Sequence, residues 1–452
     1  MKIKTCFWLF LITYSVVTCV LFHLIYRISK LVVDEEFHLR QGENYCLWKF
    51  DVWDPKITTF PGLYLISALL LGPFKFCTTY ALRLTSVLAS IANVCFIFAI
   101  RRKVTGNYAE SYVLLESASL ALLPPLYFFS HLYYTDVLSV TMVLAMIYFA
   151  MQAKNNWGAL MASLAVLMRQ TNIVWVGFVL GSQMIDLALR LTLSKKKNRY
   201  RLPDLFHAIT VLIRSPSLAV ELLQESCELF YGYILVIMAF IDFLYWNGSI
   251  VVGDKTAHVA AAHIPQVFYF CLFFAMFSCS QLLTASRQLV RFAFKRWYIS
   301  VGCIVLFAYI IKQNTIVHPY LLADNRHYTF YVWNRFYGRW WFARYLPIPV
   351  YYLIVVLFGF SLFGGRKPTV GYSVLWIAAT LASVALQQLI EVRYFFLPFL
   401  VLRLMQTNIR PSSKTFVLEL AINVIINAAA LYMFCTKEFY WSDYPQPQRI
   451  IW

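Results

Sequence analysis

The chain has 452 residues, 61% of them hydrophobic and only 13% charged, with a formal net charge of +18 and a mean hydropathy of +0.64. A soluble domain carries about 25% charged residues, so this chain has too little polar surface to enclose a core in water and reads as a polytopic membrane protein in contact with the lipid bilayer. The positive charge does not indicate nucleic acid: Lys and Arg sit in short clusters between apolar runs, RRK at 101–103, KKKNRYR at 195–201, RFAFKRW at 291–297 and RKP at 366–368, the pattern that marks cytosolic loops and that also suits anionic lipid.

The first apolar run follows Lys2 and Lys4 and is long enough to span; no small-residue cleavage site follows it, so it is expected to stay as an uncleaved anchor. With Lys2 and Lys4 in the cytosol, residues 26–78 form a long non-cytosolic loop that contains the acidic stretch VVDEEFHLRQ, residues 32–41. Within the loop, Pro61, Gly62, Gly72 and Pro73 interrupt an apolar segment, so it is expected to dip into the membrane rather than cross it.

Spans are expected near 79–100, 109–129, 137–153, 157–171 and 172–190. Residues 191–225 form the most polar stretch, read as a cytosolic loop with a surface helix. Further spans are expected near 229–246, 264–284, 298–313, 346–364, 369–389, 395–409 and 415–435. The result is an all-α polytopic membrane protein, one membrane domain over 1–452, with about 13 transmembrane helices. The ten cysteines show no C-x-x-C spacing, so neither a zinc site nor a disulfide framework is indicated. Cys46 and Cys77 fall on one side of the membrane, and a bridge between them stays open.

The polar non-cytosolic pieces are 26–60, SHLYYTD at 130–136, RQTN at 169–172, WNGSIVVGDKTAH at 246–258, the loop 314–344 and EVRY at 391–394. Charged groups in or beside spans are costly, which makes Arg169, Glu391 and Arg393 functional candidates. In the acidic stretch, helical spacing pairs Glu36 with Arg40 at i, i+4 on an exposed face. It lines Asp34, His38, Gln41 and Tyr45 on another, which is either a solvated interfacial helix or a carbohydrate-facing stripe. H-E-x-x-H spacing is absent and no second ligand cluster appears, so no metal site is expected.

The segment HPYLLADNRHYTFYVWNR, from His318 to Arg335, is the most unusual in the chain. A membrane-interface belt accounts for its aromatics but not for Asp324, Asn325, Arg326 and His327 in succession. Arg and His donors suit a phosphate, and aromatics suit a sugar ring. Arg393 has two readings, the same phosphate chemistry or an ion pair with a nearby acid. Asp136 is read as a carboxylate at a helix N-terminus, and Asn247 stands in a formal N-glycosylation sequon.

The stretches DEEFHLRQGENYC, WDPKITTFPGLYLIS, LYYTD, MRQTNIVW, HIPQVFYF, LLADNRHYTFYVWNR and EVRYFFLP together resemble the endoplasmic-reticulum alpha-1,2-glucosyltransferases that add the third, terminal glucose to the lipid-linked oligosaccharide of N-glycan assembly. The resemblance runs from about residue 34 to the closing RIIW. It implies dolichyl-phosphate glucose as donor, Glc2Man9GlcNAc2 on dolichyl pyrophosphate as acceptor, and a GT-C fold in the endoplasmic-reticulum membrane with a luminal active site. It also implies a metal-independent reaction without cofactors. The family pattern D-E-x-F-H maps onto Asp34, Glu35, Phe37 and His38.

On that resemblance Asp34 is the expected base, with Glu35 as the alternative. Arg326, His327, Arg393 and Arg169 are the candidate ligands of the donor phosphate. His38, Gln41, Trp48, Trp53, Asp324 and Tyr331 are the candidates for sugar or acceptor contacts. Two other readings remain: a sister enzyme using dolichyl-phosphate mannose or acting at another glucosylation step, and a non-enzymatic membrane partner or transporter. A transporter is expected to place polar groups near the middle of its spans, whereas here they gather on one side.

Overall fold

A computed structural model describes residues 3–29, 31–106, 110–193, 200–255, 261–365, 368–441 and 446–452. The basic residues at 195–199 and 366–367, and the side chains of Lys2 and Lys4, lie outside the described residues. The structure is helical almost throughout, beginning with the apolar α1 (Ile3–Ile28), the short α2 (Glu35–Cys46) that follows the acidic turn, and α3 (Gly62–Leu71). The long α4 (Thr79–Thr105) starts at a Thr78 side-chain cap and stops at Gly106 with φ 59°, a positive φ that glycine adopts without a Cβ penalty.

The expected span 109–129 is two helices, α5 (Glu110–Ala121) and α6 (Pro124–Phe129). Pro124 and Pro125 remove the backbone donors a continuous helix needs. Next come α7 (Thr135–Met151), α8 (Asn155–Met168) and α9 (Ile173–Thr192). α7 packs on both α4 and α8, and nearly every residue from Thr135 to Ile147 is buried. An apolar helix surrounded by protein on all sides is what its lack of a polar face requires.

The expected loop 191–225 contains α10 (Leu202–Arg214) and the start of α11 (Pro216–Asn247). The expected straight span 264–284 is instead α12 (Pro265–Phe277) and α13 (Cys279–Lys295), bent by 104° at Ser278. α14 (Trp297–Asn314), α15 (Pro319–Ala323), α16 (Tyr328–Val332), α17 (Ile348–Phe363), α18 (Val370–Val384), α19 (Phe396–Met405) and α20 (Ser413–Thr436) complete the helices. Strands β1 (Glu438–Phe439) and β2 (Gln448–Arg449) pair antiparallel, and Ile451 forms a parallel bridge with His327.

Among the described residues six helices are long and apolar enough to cross a membrane, α1, α4, α9 with its preceding turn, α11, α14 and α20, or seven with the bent pair α12–α13. The shorter apolar helices at 62–74, 135–151, 348–363 and 370–384 fall below that length, so length and composition do not carry the expected count of about 13. Large apolar side chains stay exposed on the long helices, among them Leu235, Met238 and Ile241 on α11 and Val301 and Val305 on α14. Such a surface is untenable in water and suits a bilayer.

The bend at Ser278 contains no proline; distant charges stabilise it. It frees backbone N–H groups at the start of α13, and Glu419 of α20 accepts from the Ser280 N–H at 3.0 Å and the Ser280 hydroxyl at 2.5 Å. A carboxylate at a helix N-terminus meets both the orphan donors and the positive end of the dipole. Arg403 of α19 donates to the Ser278 hydroxyl at 2.8 Å and pairs with Glu419 at 2.9 Å. Arg101, from the RRK cluster, is fully buried rather than solvated. It pairs with Glu116 and donates to the carbonyls of Leu404 (2.7 Å) and Gln406 (3.0 Å), closing the end of α19.

Cys46 and Cys77 form a disulfide that ties the end of α2 to the approach to α4 across 31 residues. Closing a loop of that length restricts the unfolded chain by about 3–4 kcal/mol. Cys46→Ser is therefore expected to lower the thermal unfolding midpoint in detergent. Dithiothreitol should lower the midpoint of the unsubstituted protein to a similar degree and leave that of the variant unchanged.

Candidate active site

The three acids of the opening stretch go to three different places. Residues 32–35 form a turn closed by the Glu35 N–H donating to the Val32 carbonyl at 2.8 Å. Val33 in this turn has φ 46°, a left-handed conformation that costs a β-branched residue of order 1–3 kcal/mol. Asp34 follows at the N-cap of α2; its side chain is exposed and makes no cap hydrogen bond.

Glu35 turns the other way and is fully buried. Its two oxygens accept from the Arg83 guanidinium at 2.7 and 2.6 Å, and one also accepts the Tyr133 N–H at 2.6 Å. Three hydrogen bonds thus engage both oxygens, and Glu35 is held in a buried ion pair. Glu36 pairs with Arg40 at 2.8 Å on an exposed face, as the i, i+4 spacing indicates.

Two arginines meet a carboxylate close to this turn. Asp136, in the first turn of α7, pairs with Arg169 and lies 3.5 Å from Arg393, which also pairs with Glu391 at 2.7 Å. Each guanidinium has five N–H donors, more than the three acid contacts these pairs make. Both arginines line a small cavity together with Asn172, Trp175, Tyr394 and Leu397. The cavity joins fixed cations to an apolar wall.

Tyr134 connects this cluster to the acidic turn. Its hydroxyl donates to the Val32 carbonyl at 3.1 Å, and the Arg393 guanidinium lies over its ring at 5.6 Å. Burial, together with the Asp34 and Glu35 carboxylates, pushes its phenol well above the usual range and keeps it protonated. His38 stacks its edge on Tyr134 at 5.4 Å and hydrogen-bonds Tyr64 at 2.6 Å. Burial and the Arg393 charge push its imidazole down to about 4, so His38 is neutral at pH 7 and contributes no cationic charge.

An aromatic track leads outward from His38. Tyr64 touches Trp53 at 6.0 Å and Tyr45 at 5.7 Å; Tyr45 touches Phe50 at 5.1 Å, and Phe50 touches Trp48 at 5.7 Å. Trp48 is exposed, and the Trp53 indole N–H has no hydrogen-bond partner among the described residues. The expected polar stripe ends sooner: Gln41 and Tyr45 are buried, and the Gln41 amide holds the 52–54 backbone by donating to Val52 (2.6 Å) and accepting from Asp54 N–H (3.1 Å). Gln41 therefore supports the loop bearing Trp53 instead of presenting itself to a ligand. Gly42 is required here because a Cβ would come within 2.9 Å of the Tyr133 ring.

The 314–344 segment does not deliver its cations to the cavity. Arg326 is buried and forks onto Asp324 two residues earlier, at 2.9 and 2.8 Å, with the Trp441 ring 4.2 Å away. His327 lies 3.7 Å from Asp324 and 3.3 Å from the Trp452 carbonyl. Arg326 and Asp324 thus pair with each other, His327 lies beside them, and none of the three lines the cavity of Arg169 and Arg393, where a shared phosphate site would need them. Tyr331 is half-buried under Arg335 at 5.2 Å, away from the aromatic track. The Asn247 amide is turned onto the carbonyls of Ser249 and Val251 at 2.7 and 2.8 Å.

Sequence reasoning overlooked Arg83 and gave Asp136 only a helix-terminal role. Both carried a usable signal, a charge inside or beside an apolar run, which demands a partner. Removing one partner of a buried pair leaves an uncompensated charge and costs about 3–5 kcal/mol. Arg83→Leu is accordingly expected to reduce folded protein sharply in size-exclusion profiles, and the double variant Arg83→Leu/Glu35→Leu to recover much of it.

The chain matches the model of the DIE2/ALG10 family over residues 28–404. It is 42% identical over 433 residues to a Drosophila melanogaster protein named Dol-P-Glc:Glc(2)Man(9)GlcNAc(2)-PP-Dol alpha-1,2-glucosyltransferase, with 94% of each chain covered. Proteins of the same name in Rattus norvegicus and Arabidopsis thaliana are 34% identical (96% of each chain) and 32% identical (93% of this chain, 94% of theirs). No solved structure matches. Coverage on this scale, at these identities, establishes that the chain belongs to the DIE2/ALG10 family.

Proposed function

We propose that this chain transfers glucose from dolichyl-phosphate glucose to the 2-hydroxyl of the terminal glucose of Glc2Man9GlcNAc2-diphosphodolichol, with Asp34 as the base. The activity rests on the name its relatives share across insect, mammal and plant. The assignment of Asp34 rests on one observation: an exposed carboxylate on a turn that Tyr134 joins directly to the Arg393 cluster.

The donor glucose is β-linked to phosphate and the product linkage is α, so the anomeric carbon inverts in a single displacement. The acceptor oxygen attacks C1 from the face opposite the phosphate and gives its proton to Asp34. The bond between C1 and the phosphate oxygen breaks, its electron pair leaves with dolichyl phosphate, and the phosphate charge grows by one unit. Arg393 and Arg169 meet that growing charge with donors already fixed by Asp136 and Glu391. The apolar wall of the cavity takes the first isoprenes, and the track from His38 to Trp48 stacks the acceptor sugars. We propose that the transfer uses no metal, the guanidinia supplying the positive charge.

We propose further that the helices form a GT-C arrangement of about 13 transmembrane segments, the short ones such as α7 and α17 included, in the endoplasmic-reticulum membrane with the Asp34 face luminal. Two features support that orientation. The Cys46–Cys77 disulfide lies on the Asp34 side and requires an oxidising compartment. The exposed Arg102 and Lys103 mark the other end of α4.

In microsomes supplied with both lipid substrates, Asp34→Asn is expected to lose about 10²- to 10⁴-fold in turnover at normal protein level. Near-full activity would remove Asp34 as the base. Arg393→Gln is expected to raise the KM for the donor lipid more than that for the acceptor. Cells lacking the chain are expected to accumulate the diglucosylated lipid-linked glycan, whereas a mannose-deficient species would contradict the glucose assignment.

A further inference from the structure

The turn that presents Asp34 is not held by its own residues. Val33 sits at φ 46° with a buried side chain, where an isolated turn of this kind would carry glycine. Its N–H points away from the turn and donates to the Gln448 side-chain oxygen at 3.2 Å. That same oxygen accepts from Arg326 at 3.4 Å. Gln448 is itself 1% exposed and stands in β2, where it pairs with Phe439.

The surrounding segment is anchored on both sides. Arg449 donates to the Cys435 carbonyl at 3.0 Å and pairs with Glu438 at 2.8 Å. The Ile451 N–H donates to the Arg326 carbonyl at 2.7 Å, and the Ile451 carbonyl accepts from the Tyr328 N–H at 3.1 Å. Trp452 packs on Tyr328 at 5.0 Å. Asp324 fixes Arg326, the backbone bridge fixes residues 448–452 against Arg326, and Gln448 passes that constraint to the residue before Asp34.

We infer that Gln448 is a positioning residue of the transfer reaction, and that the Asp324–Arg326–Gln448 chain exists to hold the left-handed Val33 turn so that Asp34 keeps its aim. Gln448 acts on the base through the backbone. This explains why the Asp-Asn-Arg-His stretch is polar although its charges are consumed internally. It rests on the assignment of Asp34 as base and adds the device that orients it. A displacement of a reacting group by about 1 Å costs on the order of 10²-fold in rate, so loss of this tie is expected to fall on turnover rather than on substrate binding.

The test compares Gln448→Leu, Gln448→Glu and the double variant Val33→Gly/Gln448→Leu in microsomes, reading kcat and both KM values beside Asp34→Asn. Gln448→Leu removes the acceptor and is expected to lower kcat about 10- to 100-fold, with both KM values within about twofold. Gln448→Glu keeps an acceptor for the Val33 N–H and Arg326 and is expected to retain most of the turnover. Val33→Gly lets the turn hold without the tie and is expected to restore part of what Gln448→Leu loses. If Gln448→Leu does not accumulate, Gln448→Asn, one methylene short of Val33, carries the same expectation of reduced kcat. Unchanged kcat in both Gln448→Leu and Gln448→Asn would overturn the inference, as would a Gln448→Glu as impaired as Gln448→Leu. An inactive Asp34→Asn together with a fully active Gln448→Leu would overturn the positioning role alone, whereas an active Asp34→Asn would overturn the base assignment beneath it.

Discussion

The fork between Arg83 and Glu35 sets the geometry around which the Asp34 face is arranged. Both side chains are fully buried, and stripping water from two charges is expensive unless each finds its partner in good geometry. Arg83 takes the Ser29 carbonyl as well, and Glu35 takes the Tyr133 N–H. The end of α1, the start of α2, the start of α4 and the connector into α7 therefore converge on one ion pair. Because Glu35 must point inward to reach Arg83, its neighbour Asp34 is rotated outward. The exposure of Asp34 follows from the burial of Glu35.

The same physics recurs 18 residues further along α4, about 27 Å away at 1.5 Å per residue. Arg101 and Arg403 are matched by Glu116 and Glu419, and all four are buried. Here the charges also satisfy backbone groups that the helices leave open, the carbonyls at the end of α19 and the N–H groups at the start of α13. The bundle is thus pinned by paired charge at both ends of α4, with the apolar α7 filling the space between. The Arg169–Asp136–Arg393–Glu391 cluster differs because it borders a cavity and its arginines retain partial exposure. Those are the conditions under which a guanidinium can still meet an incoming phosphate.

Local relations are legible in the sequence itself. The Glu36–Arg40 pair follows from four-residue spacing, and the helices over 298–313 and 415–435 follow from their apolar length. That Arg169, Glu391 and Arg393 must find partners follows from the cost of charge beside a span. The failures share one cause. Arg326 reads as a phosphate ligand because its residue type and exposed-looking loop allow it, but Asp324 turns back to fork it. Gln41 reads as part of a sugar-facing stripe, but the loop at 52–54 folds over and takes its amide. The span at 264–284 has no proline to announce a break, because the bend at Ser278 is stabilised by α19 and α20.

The sequence alone determined the class of this protein, through an apolar content that only a bilayer can cover, and the acidic turn as a place where charge needs a reason. Only the tertiary structure decided which acid is buried in an ion pair and which stays exposed. Glu35 meets its partners 48 and 98 residues away, Asp136 meets Arg393 across 257 residues, and Val33 is tied to Gln448 across 415. Hydrogen bonds and ion pairs act over a few ångströms of space, and sequence spacing reports such distances only within a helical turn or two. Beyond that range the fold chooses the partners, and by consuming Glu35 it leaves Asp34 exposed on its turn.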